Sequence, residues 1–106
     1  MDEAFHQLRV VRVADSIATR KFYRYQRSYI SSAKNQVRRH SAGTIKVLGE
    51  YLKAAEAHEG ALNDLWDALF NAAPFPGRED EMRRTMARYE IVVSELHAIQ
   101  MLALSL

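Results

Sequence analysis

The stretch TIKVLGEYLKAAEAHEGALNDLWDALFNAA, residues 44–73, decides the fold. Within it Ile45, Leu48, Leu52, Ala55, Glu59, Leu62, Trp66, Leu69 and Ala73 recur at alternating spacings of three and four, interrupted as an apolar line only by Glu59. That rhythm returns each residue to one side of an α-helix, which predicts a helix over roughly 44–73. Val47, Tyr51, Ala54, Ala61, Leu65 and Ala68 widen the stripe, so it suits a bundle better than a two-stranded seam. Thr44 is placed to act as N-cap, and Pro74 forbids continuation. Gly49 and Gly60 fall on the outer side, where each costs about 1 kcal/mol against alanine.

Both prolines lie in AAPFPG (72–77), and beyond them a further helix is predicted over roughly 78–105. Glu79, Asp80 and Glu81 open it, where carboxylates oppose the positive end of the helix dipole. Its apolar line is Met82, Thr85/Met86, Tyr89, Val92/Val93, Leu96, Ile99, Ala103 and Leu106. The ending AIQMLALSL is apolar nearly all round, so Leu102, Leu104 and Leu106 need cover.

Before residue 44 one long helix is predicted from about Asp2 to Arg39, with Arg38, Arg39 and His40 suiting the negative end of its dipole. RKFYRYQRSY (20–29) separates once wound at 100° per residue. Phe22, Tyr25 and Tyr29 join Leu8, Val11, Ala18, Ala33 and Val37 on the inner face. Arg9, Arg12, Arg20, Arg24, Arg27, Lys34 and Arg38 line the opposite one, with Tyr23 beside them. The serines of SYISS (28–32) compete for backbone carbonyls, and a break there would make four helices.

No alternating strand pattern occurs, so the expectation is one all-α domain over 1–106, an antiparallel three-helix bundle. With 48% apolar and 26% charged residues the composition is that of an ordinary soluble globular chain. No apolar run approaches the ~20 residues that span a bilayer, MDEAFHQ lacks a signal-peptide layout, and a cytoplasmic location is expected. Cysteine is absent, which excludes disulfides and thiolate metal sites.

Catalytic constellations are missing: there is no Gly-rich phosphate loop, nucleophile elbow or metalloprotease motif. Three residues before His58 and His97 stand Ala55 and Ser94, so the Glu-x-x-His spacing of carboxylate-bridged metal bundles does not occur. The expectation is a non-enzymatic chain with no catalytic residue, cofactor, metal or small-molecule substrate.

The net charge of +2 conceals a split. Residues 1–46 hold ten Lys and Arg against three Asp and Glu, while residues 47–106 hold five against ten. Either the two halves attract each other, within the fold or between subunits, or the first half meets an acidic partner. Helix lengths add a second signal. At 1.5 Å per residue the first helix would overhang its neighbours by about two turns, carrying Phe5 and Leu8 beyond cover.

The expected function is therefore assembly, with itself as a homo-oligomer or with another helical protein, using Phe5, Leu8, Leu102, Leu104 and Leu106. The alternative is binding of nucleic acid or an anionic membrane by the basic face, carried by Arg9, Arg20, Tyr23, Arg24, Arg27, Lys34 and Arg38.

Overall fold

A computed structural model describes residues 3–35 and 42–105. Three α-helices follow one another: α1 (Glu3–Asn35), α2 (Ala42–Asn71) and α3 (Arg78–Leu104). They form an all-α bundle about 55 Å long. Ser32 meets Thr44 at one end and Leu8 meets Leu69 at the other, so α1 and α2 run antiparallel. α3 returns alongside α2 and parallel to α1. α2 packs directly on both neighbours, whereas the α1 and α3 backbones stay more than 8 Å apart among the described residues. Side chains fill that wider gap.

The buried line of α2 is Thr44, Leu48, Tyr51, Ala55, His58, Leu62, Leu65, Leu69 and Ala72. It keeps an unbroken 3,4 spacing, rotated one position from the apolar line expected. His58 takes the core position and Glu59 moves to the rim, where its Oε1 accepts from the Tyr89 hydroxyl at 2.9 Å. The rotation has a simple cause: α1 and α3 flank α2 on two sides, so the middle of the broad stripe faces inward.

Two apolar clusters result. Phe22, Leu48, Tyr51, Ala55 and Ile99 form one, with Tyr25, Tyr29 and Leu96 packed against it. Leu8, Val11, Leu65 and Leu69 form the other, with Phe75 and Met82.

The single long first helix is found as expected: α1 is unbroken through 28–32, and the Ser32 hydroxyl lies 3.2 Å from Thr44 Oγ1 of α2. Two expectations need correction. Thr44 is no N-cap: α2 begins at Ala42, and Thr44 is buried within the first turn. Nor does Leu8 lie beyond cover: the 72–77 loop supplies Phe75 and Leu8 is 1% exposed, whereas Phe5 stays 45% exposed, its ring 6.2 Å from that of Phe75.

The loop ends on Gly77, whose φ of 86° is the left-handed conformation that glycine adopts without penalty. Arg78 reaches back from there, Nη1 donating to the Ala72 carbonyl at 2.6 Å beyond the end of α2. A cation at that end of a helix is favourably placed against its dipole. Among the described residues no contact explains Gly49 and Gly60: a Cβ on either would meet nothing within 4 Å.

Candidate functional site

A polar layer separates the two apolar clusters and draws on all three helices. Asp15 is 7% exposed and sits at a core position of α1, continuing the 3,4 spacing from Leu8 and Val11 to Phe22. Arg88 of α3 grips it with both arms, Nη1 donating to Oδ2 at 2.9 Å and Nη2 to Oδ1 at 3.0 Å. This forked geometry suits a carboxylate and fixes the guanidinium plane. Arg88 Nη2 also donates to Thr19 Oγ1 at 3.1 Å.

The Thr19 hydroxyl stands 3.1 Å from His58 Nε2 and 3.3 Å from Asp15 Oδ1, and it has one proton to give. The arrangement satisfying most groups places the imidazole proton on Nε2, donating to Thr19, which donates to Asp15. His58 Nδ1, buried without a partner, is then a bare lone pair rather than a stranded N–H. Adding a second proton would strand that N–H. Burial holds the His58 pKa below its ordinary 6.5, opposed by Asp15 and reinforced by Arg88.

The sign of the pH effect follows. The unfolded chain binds a proton at His58 near pH 6.5 while the folded chain resists it, so this contribution is complete above 6.5. It falls as pH drops from 6.5 towards the folded pKa, and levels off below. Urea melts between pH 8 and 5 should show this decline, and His58→Gln should flatten the part of it that begins near 6.5. An unchanged slope in the variant would assign the decline to other groups.

The basic face lies outside the bundle and is bare. Arg9, Arg20, Arg24, Arg27 and Lys34 are exposed, and none forms an ion pair with a carboxylate among the described residues. Arg20 donates to Ser16 of its own helix at 3.2 Å, and Arg24 lies over the Tyr25 ring. Arg20, Lys21, Tyr23, Arg24 and Arg27 share an open groove with Ile17 and Thr19. Tyr23 keeps 46% exposure although its ring edge rests on Phe22, 5.2 Å between centroids. Arg38 lies outside the described residues.

Of the first-half cations, Arg12 pairs with a second-half carboxylate, Nη2 to Glu81 Oε1 at 2.6 Å. No other such pair occurs among the described residues. Among the described residues the charge split is therefore left largely unpaired.

The face is also less polar than its cations imply. Val10, Val13 and Ile17 are each about half exposed on the same side of α1. Along α1 the sequence Val10, Val13, Ile17, Arg20, Arg24, Arg27 keeps a second 3,4 rhythm, apolar in its first half and cationic in its second. That rhythm was available in the sequence but is masked by the stronger inner stripe.

On the far side of the bundle, α2 and α3 leave an apolar and acidic flank. A cleft of about 160 Å³ is lined by Asn63, Trp66, Met86 and Tyr89. Phe70 and Val93 are exposed on the same flank, one turn from Trp66 and Tyr89, as are the carboxylates Glu56 and Glu90. Leu104 is 81% exposed and Leu102 is partly so, while Leu106 lies outside the described residues.

Among the described residues no three His, Asp or Glu side chains converge on a possible metal position, and no helix is long and apolar enough to cross a membrane. Compared with family models, with curated proteins and with solved structures, the chain matches none.

Proposed function

We propose that this chain is a non-enzymatic helical assembly module, which associates with other helical chains, itself first of all, through the outer faces of its bundle. The observation carrying this reading is the composition of the α1 outer face. Its bare cations are interleaved with half-exposed Val10, Val13, Ile17 and Tyr23. A surface made only for water has no use for a row of β-branched residues, and one made only for phosphate needs cations alone. An apolar ridge flanked by charge is what a partner helix buries. The exposed Phe70, Met86 and Val93 across the bundle support the same reading.

Sedimentation of the purified chain from micromolar to submillimolar concentration tests it. The weight-average mass should rise with concentration, and a monomer throughout would overturn self-assembly.

Binding of a polyanion is the second reading, favoured by the unpaired cluster Arg20, Lys21, Arg24 and Arg27. It requires mobility shifts of duplex DNA, or co-sedimentation with anionic vesicles, that weaken steeply with salt and with charge reversal at Arg24 and Arg27.

A further inference from the structure

Resting on the assembly reading, we infer that the occupant of the α2–α3 flank is the α1 outer ridge of a second copy, in a head-to-tail contact. The inference comes from matching two ridges that share one spacing.

The α1 ridge reads Val13, Ile17, Arg20, Arg24, Arg27, with steps of four, three, four and three. Read backwards, α2 carries Phe70, Trp66, Asn63, Glu59, Glu56 on its side towards the cleft, in the same steps. Laid antiparallel, Val13 meets Phe70 and Ile17 meets Trp66. Arg20 then meets the Asn63 amide, Arg24 meets Glu59 and Arg27 meets Glu56. Apolar meets apolar and every cation meets an acceptor.

Glu59 gives only Oε1 to Tyr89, and its second oxygen remains for a guanidinium. Glu90 on α3 stands exposed beyond the cleft, within reach of Lys21 or Arg24 of the incoming helix. The antiparallel sense is the one α1 already uses against the opposite side of its own α2, so the second α1 repeats a packing the sequence supports. A parallel α1–α1 pairing would set cation against cation from Arg20 onwards, and an antiparallel one would bury Val10, Val13 and Ile17 against arginines with no carboxylate to meet them.

The two surfaces lie on opposite sides of one bundle, so no two-fold axis can satisfy both in a dimer. A heterologous contact of this kind continues into a ring or an open chain.

Two double variants test the pairing by sedimentation. Arg24→Glu with Arg27→Glu spoils the ridge and leaves the flank intact. Glu56→Lys with Glu90→Lys spoils the flank and leaves the ridge. All four residues are exposed and none forms an ion pair among the described residues, so both variants should fold, as far-UV circular dichroism will show.

Each variant alone should have its association weakened on the order of 10- to 100-fold. An equimolar mixture should recover larger species, because each supplies the surface the other lacks. Wild-type assembly with either variant associating unchanged would overturn the head-to-tail pairing and leave the assembly reading standing. A monomeric wild type would overturn both, and a DNA or vesicle interaction in that case would assign the ridge to a polyanion.

Discussion

Replacing Phe22 by alanine is expected to cost about 3–5 kcal/mol, the range for truncating a buried aromatic. Phe22 is fully enclosed, and its ring centre lies 5.5 Å from Tyr51 and 5.1 Å from His58. It stands where the larger apolar cluster meets the polar layer, so α1, α2 and α3 all lose a neighbour with it. The space left cannot fill by small adjustments, because the surrounding rings are rigid and Tyr51 is tied by its hydroxyl, which accepts from Gln26 at 3.0 Å. Domains of this size have only about 5–15 kcal/mol in all, so the variant should be marginal at room temperature.

Thermal melts followed by circular dichroism should place its midpoint roughly 15–25 °C below wild type. Phe70→Ala is the control, at 65% exposure, and should stay within about 1 kcal/mol of wild type as a monomer. A small effect at Phe22 would mean that the three helices do not share one core.

Arg88→Met should be the next largest loss, about 3 kcal/mol. Asp15 keeps only Thr19 once the guanidinium is gone, and a carboxylate 7% exposed with no cation is strongly disfavoured. Asp15→Asn should cost less, about 2 kcal/mol, since the Arg88 side chain retains 41% exposure and can turn to water. These values sit at and just under the low end of the roughly 3–5 kcal/mol that breaking a buried ion pair costs.

The double variant Asp15→Leu with Arg88→Met should be no worse than Arg88→Met alone, because it removes the stranded charge together with its partner. Denaturant unfolding of this double variant, of Arg88→Met and of Asp15→Leu alone, against wild type, closes the cycle. A double variant as unstable as the two single losses added together would show that the two side chains act independently.

The polar layer also limits how the helices can slide. Moving α1 by one heptad against α3 would bring Phe22 or Leu8 to Arg88 and leave Asp15 among apolar groups. We regard register selection as its structural effect, with the pH response of His58 as a consequence.

Asp15 shows why the layer was hard to read beforehand. Its place in the 3,4 spacing from Leu8 and Val11 to Phe22 is visible in the sequence, but an aspartate there reads as a gap in the stripe. Only Arg88, 73 positions away, turns the gap into a core position. His58 was obscured by the breadth of the α2 stripe. Six widening residues allowed the buried centre to lie on either side of Leu48 and Leu62, and local spacing cannot choose between them.

What the sequence determined by itself is the set of helices and their broad inner faces. These follow from periodicity, from proline at 74 and 76, and from glycine at 77, all of which act within a few residues. The outward turn of Arg20, Arg24 and Arg27 and the inward turn of Phe22 and Tyr29 were legible for the same reason.

The tertiary structure alone decided which edge of each stripe is buried, that Leu8 is covered by the loop around Phe75, and that the cations of the basic face, Arg12 apart, pair with no carboxylate among the described residues. The physical reason is that helical periodicity repeats every turn or two, whereas partners lie dozens of positions apart. Which of two adjacent lines faces inward is set by where the neighbouring helices stand.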